Sequence, residues 1–547
     1  MAFSETLEGG AWSLPNLLTT YNILLVIIVW LTYGIIRALY NVSPLHPLSH
    51  IPGPKLAAAT YLPEFYHDVI RFGRYTSEIR EMHETYGPLV RINPNEIHCN
   101  DLNFSDEIYA GPGRKRDKPP HQVNGTALSL AEFGTVGHDL HRQRRAPVAR
   151  FFSRANVAKL ETEIKEHVQA LCDKLLRQGG GGGGSTTSQP FDVKTAYSCF
   201  TADVISAYAF GRPFGFLAGQ EGWRPNFKDP TEALLTSTHV FRFFPFLKGL
   251  DRLAAALVDY LPADIGLFVR TMQVDLPAQI ERTRAEVQAR AGGAAAAPAA
   301  QQERPTIFGS ILLEEEMGSR EKGTRRLAAE GFAVVGAGTE TTAAAMAVIT
   351  YHLLRRPELL GKLRAELEGY GVGGDPRVLP GYPELEKIPY LGAVIQEGLR
   401  LSYGVAARTA RIATEEDLVY RGEWEKRTVE YVIPRGYAVG MSTVITHHDE
   451  GVFPDSHRFV PERWLDEGGR RRKEVERGMM AFSKGSRACL AMNLALCEIY
   501  FSITALALRV LPHMSLFETT DEDVLYDHDM FIPMPKAGTN GIRVTIS

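Results

Sequence analysis

Apolar positions are densest near the N-terminus, where Leu17 to Leu39 carries one charge, Arg37, and Ile23 to Leu31 is unbroken. The run meets the ~20 residues a helix needs to cross a hydrocarbon core. It therefore predicts a transmembrane helix over 17–39, after a short tail of residues 1–16. Pro44, Pro47, Pro52 and Pro54 follow, and because proline fixes φ and withholds a donor, 40–55 reads as a semi-rigid hinge. Beyond it the period changes. Glu161–Leu176, Asp275–Ala289 and Arg326–Leu354 repeat apolar residues at helical spacing, and short β-type runs such as Leu89–Ile92 are scattered among them. The pattern predicts a mainly α body of the α+β kind, helix-rich with small β-sheets, spanning 56–547 as one catalytic unit. Gly179–Gly184 and the alanine-rich run ending at Pro298 read as surface loops. The aromatic stretch Phe241, Phe243, Phe244 and Phe246 is assigned to core on the usual burial of such residues, a lipid-facing surface being the alternative.

Composition narrows the class without naming it. The 547 residues are 44% hydrophobic, enough for a large core, and the formal net charge of −4 gives no basic footprint, which argues against nucleic acid as a partner. Five cysteines without CxxC spacing or a paired His motif argue against a disulfide framework or a zinc site and fit a reducing compartment. No Lys or Arg precedes the apolar run, whereas Arg37 and Lys55 follow it, so the positive-inside rule places the large C-terminal part in the cytosol. Glu5 and Glu8 stand where a cleaved signal peptide would want basic residues, so the span is expected to be retained.

The chemistry concentrates near the C-terminus, in Phe482-Ser483-Lys484-Gly485-Ser486-Arg487-Ala488-Cys489-Leu490-Ala491-Met492-Asn493, followed by a helical apolar run. A lone cysteine is by default a buried structural residue. Here its neighbours point elsewhere: Gly485 permits a tight turn, Arg487 offers a planar fork of donors, and N–H groups at the start of the next helix can hydrogen-bond a thiolate. The stretch resembles the cysteine-ligand loop of the cytochrome P-450 superfamily, Phe-x-x-Gly-x-Arg-x-Cys-x-Gly, with Ala491 where Gly is usual.

The resemblance extends over everything from Pro52 onward. Glu397-Gly398-Leu399-Arg400 and Pro461-Glu462-Arg463-Trp464 match the family's structural lock, which assigns Glu397, Arg400 and Arg463 to it. Ala337-Gly338-Thr339-Glu340-Thr341-Thr342 matches the family's long distal helix. It implies Thr341 as the hydroxyl beside bound oxygen and Glu340 as a proton relay, and suggests that the small residues leave room for the cofactor. His141 and Arg145, in His141-Arg142-Gln143-Arg144-Arg145, and Arg411 fall at positions that contact haem carboxylates, as does Arg487, while Phe482 and Gly485 shape the loop. The resemblance thus implies haem b held at its iron by Cys489.

It also implies a monooxygenase that inserts one atom of O2 into a lipophilic substrate by hydroxylation or epoxidation. Such enzymes sit in the endoplasmic reticulum membrane and draw electrons from NADPH through a separate cytochrome P-450 reductase. Arg142, Arg144, Lys484 and Arg470 to Lys473 are candidate basic docking residues, with a solvated loop as the alternative for the last run. Gly73-Arg74-Tyr75-Thr76 and His83-Glu84-Thr85-Tyr86 look like fungal microsomal enzymes of the trichodiene oxygenase type, which implies secondary-metabolite biosynthesis on a terpenoid or polyketide-derived scaffold. The loop 114–133, Val334, Ala337 and the turn Ser402 to Ala406 are nominated as pocket lining. A haem-thiolate enzyme that couples, isomerises or dehydrates without net oxygen insertion is the alternative, and a haem-binding sensor or carrier a more distant one.

Overall fold

The computed structural model describes residues 20–125, 128–179, 189–219, 222–250, 260, 263–291, 306–315 and 317–547. The tail 1–16, most of the glycine run and the alanine-rich run lie outside the described residues.

The elements that position the site are, in chain order, helix α1 (Thr20–Val42), strands β1 (Leu89–Asn93), β2 (Glu96–Cys99) and β3 (Arg116–Asp117), helices α2 (His138–Ala149) and α3 (Glu161–Gly179), and strand β4 (Phe191–Asp192). Helices α4 (Val193–Phe210), α5 (Lys228–Leu235), α6 (Thr238–Phe243), α7 (Leu276–Ala291), α8 (Thr324–Arg355) and α9 (Pro389–Ser402) follow. The C-terminal part carries β5 (Arg411–Ala413), β6 (Leu418–Trp424), β7 (Arg427–Ile433), β8 (Ala438–Gly440), α10 (Met492–Arg509), β9 (Met514–Leu516), β10 (His528–Met530), β11 (Ile532–Met534) and β12 (Arg543–Ile546).

The apolar N-terminal helix exists and runs past Leu39; residues 17–19 lie outside the described residues. It continues through Tyr40, Asn41 and Val42 because the first residue that disfavours helix is Ser43, which precedes Pro44. Within Tyr21–Val42 an 18-residue window has a mean hydropathy of 2.2 and no buried residue, so the helix is long and apolar enough to cross a membrane. The stretch after it is packed onto the body. Arg91 donates to the Asn41 carbonyl at 2.9 Å, Asn41 Nδ2 donates to the Ala59 carbonyl at 2.8 Å, and Leu48 and Ile51 are buried beside β1 and β2. The aromatic stretch is not core: Phe243 packs edge-on against Phe65 and His121, while Phe244 and Phe246 are exposed just beyond α6.

Helix α8 runs through the middle of the main core and packs on α4, α7, α9 and α10. Two glycines let it approach its neighbours. A Cβ on Gly338 would stand 2.8 Å from Ile205 of α4, and one on Gly398 of α9 only 2.1 Å from Ile349 of α8. Gly338 therefore serves helix–helix contact and not the room for a cofactor that the sequence suggested.

A five-stranded sheet in the order β1-β2-β8-β5-β3 flanks the helices, with β2 and β8 parallel and the other neighbours antiparallel. Its register sets Arg411 opposite Val439 and Arg116 opposite Ala413, which brings both arginines to the loop joining β3 to α2. Smaller sheets pair β6 with β7, β10 with β11, and β12 with both β4 and β9.

Candidate haem-binding and oxygen-activating site

The cysteine loop is fixed by its backbone. Ser483 and Gly485 both have positive φ, 55° and 71°. At Gly485 a Cβ would lie 2.0 Å from the Tyr109 carbonyl oxygen and 2.4 Å from that of Ala110, so glycine is demanded by both conformation and space. Ser486 N–H donates to the Ala110 carbonyl at 3.1 Å and Cys489 N–H to the Phe482 carbonyl at 2.8 Å, closing the turn. Gly485→Ala is expected to cost on the order of 1–3 kcal/mol for the left-handed backbone, before any collision. A lowered melting temperature together with reduced haem content of the purified protein is the outcome to measure.

Cys489 keeps solvent-accessible surface, yet the protein around it desolvates the thiol and pushes its pKa up, opposed by a hydrogen bond from the Ala491 N–H and by the charge of Arg145. A sulfur both accessible and deep faces an internal space. The other cysteines are buried. Between Thr339 and Leu353 the accessible positions of α8 are Thr341, Ala344 and Val348, which with the exposed Ala337 give a spacing of 4, 3 and 4 that defines one face. Thr341 lies on that face, its hydroxyl donating to the Ala337 carbonyl at 2.8 Å. Glu340 lies off it, buried, and accepts from Ser198 of α4 at 2.9 Å.

Two of the residues expected at the haem carboxylates, His141 and Arg145, meet on one acid that motif reasoning missed, Glu132. His141 Nε2 stands 2.5 Å and Arg145 Nη1 3.1 Å from Glu132 Oε1, and Arg145 Nη2 donates to the Ala488 carbonyl beside the cysteine at 2.9 Å. Burial raises the Glu132 pKa, but the hydrogen bond from His141 and the charges of His141, Arg145 and Lys118 outweigh it and hold the carboxyl at about 2. Arg487 donates from all three nitrogens to the carbonyls of Arg116, Thr135 and Val136, fastening the loop before α2. Arg411 lies buried over the Tyr109 ring and donates to the Thr409 and Ala410 carbonyls.

This cluster holds more positive charge than Glu132 balances. Burial and the neighbouring Arg411 lower the Arg487 pKa to about 10, and Lys118 is pushed well below its ordinary value by burial and by Arg411, Arg487 and Arg145. Arg411 is lowered by burial as well. Depressed bases in a buried cluster mark a place where added anions are stabilising. A flat cofactor with two carboxylates, ligated at its centre by a thiolate, fits the cations, the accessible sulfur and the small-residue face of α8. Lys118 and Glu132 fall in the 114–133 loop assigned to pocket lining, but nothing in their spacing marked them.

The lock residues come together as the sequence implied. Glu397 Oε1 and Oε2 accept from Arg400 Nη2 at 2.8 Å and Nε at 2.9 Å, and Oε1 also from Arg463 Nε at 3.0 Å. Most of the basic docking residues are paired with acids. Arg144 is buried on Glu321, Lys484 pairs with Asp106 at 3.2 Å, and Arg470, Arg471 and Arg472 pair with Asp466, Glu476 and Glu474. Arg142 is exposed.

Comparison with known proteins agrees with this geometry. The profile of the family described as Cytochrome P450 matches residues 60–518. A cytochrome P450 monooxygenase, ppzE, of Metarhizium majus is 40% identical over 82% of this chain and 92% of its own length. The conidiogenone synthase PchP450 of Penicillium rubens is 38% identical over 92% of this chain and 94% of its own. The N-acetyltryptophan 6-hydroxylase ivoC of Emericella nidulans is 36% identical over 92% and 93%. With its cysteine loop, its lock and its central helix matched in order, the chain belongs to the cytochrome P450 family of haem-thiolate monooxygenases.

Proposed function

We propose that the protein inserts one oxygen atom of O2 into a lipophilic substrate, by hydroxylation or epoxidation, in the biosynthesis of a fungal secondary metabolite on a terpenoid or polyketide-derived scaffold. The observation that carries the reading is an accessible Cys489 whose neighbour Ala488 is held by Arg145, with the guanidinium groups of Arg411 and Arg487 buried in the same part of the fold. Relatives named for hydroxylating N-acetyltryptophan and for making conidiogenone support oxidation of an organic molecule. Haem b bound through a cysteine thiolate supplies the activation of dioxygen.

In this reading Cys489 ligates the iron and Gly485 and Phe482 shape its loop. Arg145, Arg411, Arg487 and Lys118 neutralise the haem carboxylates, with His141 holding Glu132 in place among them. Thr341 presents a hydroxyl at the accessible face of α8, and Glu340, one residue away, relays protons. Glu397, Arg400 and Arg463 lock the fold around the site. Helix α1 anchors the body in the endoplasmic reticulum membrane facing the cytosol, and NADPH supplies electrons through a partner cytochrome P450 reductase.

Turnover under labelled dioxygen tests the reaction: the product is expected to carry one labelled atom, and an unlabelled product overturns oxygen insertion. In Thr341→Ala the product formed per NADPH consumed is expected to fall roughly a hundredfold, the lower end of general acid–base contributions, while NADPH oxidation continues. Assaying both quantities on the same sample separates lost proton delivery from lost electron supply.

A further inference from the structure

Glu340 has two oxygens in unlike surroundings. Oε1 accepts from Ser198, whereas Oε2 is buried and accepts no hydrogen bond among the described residues. What faces Oε2 is the ammonium of Lys194, 3.6 Å away. The same Lys194 Nζ donates to Glu232 Oε1 at 2.7 Å. Glu232 Oε2 lies 3.4 Å from Lys228 Nζ, which lies 3.3 Å from Asp192 and 3.6 Å from Asp229. Ionisable groups of alternating sign thus lead outward from Glu340 with no gap above 3.6 Å. The outer ones reach solvent: the side chains of Glu232 and Lys228 are 23% and 15% exposed, against 3% for Glu340.

Local structure builds this line. Asp192 of β4 caps α4, its Oδ1 accepting from Lys194 N–H at 3.1 Å, which puts Lys194 in the first turn. Ser198 follows four residues later on the same face, so both reach Glu340. Lys228 and Glu232 share a face of α5 in the same way. Joining α4 to α8 needs one ion pair. A second acid and a second base running on to the surface have no such need.

We propose that Lys194 and Glu232 form the proton inlet of the site, reloading Glu340 from solvent at the α4–α5 surface. The inference rests on the reading of Glu340 as the relay acid. When Glu340 gives up a proton toward Thr341, the Lys194 ammonium returns one to Oε2 and takes one from water beside Lys228 and Asp192, while Glu232 stays ionised and holds Lys194 in place. The relay ends as it began, and the proton comes from solvent. Burial, reinforced by the Glu232 charge, raises the Glu340 pKa against the opposing influence of Lys194, Ser198 and Lys228, which suits a group that holds its proton until asked.

The test uses the full-length holoenzyme and heavy water as the probe. The carbonyl stretch of protonated Glu340, identified by its absence in Glu340→Gln, shifts on deuteration, and rapid-mixing infrared spectroscopy follows the exchange. Glu232→Gln and Lys194→Arg are each expected to slow that exchange roughly a hundredfold, the lower end of acid–base effects, with haem content unchanged. Lys194→Arg is the sharper variant, because arginine keeps the ion pair but does not release its proton. Exchange at the native rate in both variants overturns the inlet and leaves the role of Glu340 standing. An unchanged solvent isotope effect on NADPH-driven oxygen consumption in Glu340→Gln overturns the relay acid, and the inlet with it.

Discussion

Cys489→Ser is expected to purify with no thiolate-type band in its carbon-monoxide difference spectrum and no NADPH-dependent turnover. The substitution changes one atom. A serine hydroxyl fits the same turn, in which Cys489 N–H bonds the Phe482 carbonyl and Ala491 N–H points at the side chain, so the loop has no steric reason to rearrange. What changes is the donor. Burial pushes the Cys489 thiol up against the Ala491 N–H and Arg145, and a bound metal ion is what completes the ionisation of a thiol. An alcohol does not ionise there, and a neutral oxygen pushes little electron density onto iron. Any haem that stays is held by the cation cluster and by packing alone. The discriminating measurement is therefore the position of the carbon-monoxide band and not haem content by itself. An undiminished thiolate-type band in the serine variant would remove Cys489 from the site.

The parts of the site that could be read from sequence share one property: each is carried by residues close together in the chain. The cysteine loop, Glu397 with Arg400, and the threonine-rich turn of α8 are local patterns, as is the helical period that located α3, α7 and α8. The parts that could not be read depend on residues brought together from far apart. Glu132 belongs to the cluster because its carboxylate meets His141 and Arg145 on the next helix and its N–H meets Glu330 of α8 at 2.9 Å. Lys484 and Arg144 look like free surface charge until the fold supplies Asp106 and Glu321. Gly338 shows the same limit from the other side. A glycine in a helix signals that something comes close, but only the position of Ile205 says that it is a neighbouring helix. Residues 17–39 were identified as apolar by composition, while the end of the helix was set by the backbone preference of Ser43 before Pro44.

Glu397→Ala is expected to yield no holoenzyme, with the chain recovered aggregated or free of haem. The carboxylate is fully buried and accepts five hydrogen bonds: two from Arg400, one from Arg463, one from the Val460 N–H at 2.8 Å, and one from the Trp464 indole at 2.9 Å. Removing it strands two guanidinium groups in the core, one of them Arg400 with no exposure at all. Those groups also hold the carbonyls of His447, Ser456 and Arg458, and of Pro454 and Asp455, so the stretch 447–464 loses its anchor when the charge that positions both arginines is gone. Breaking a buried pair from one side costs about 3–5 kcal/mol. That is a fifth or more of the roughly 5–15 kcal/mol by which a domain is stable. Glu397→Asp tests the cause, since a shorter carboxylate keeps the charge but cannot meet all five donors. It should recover part of the haem content that alanine loses, as measured by the ratio of haem absorbance to protein. Equal loss in both variants would show that geometry alone matters, and full haem content in Glu397→Ala would show that the lock is dispensable.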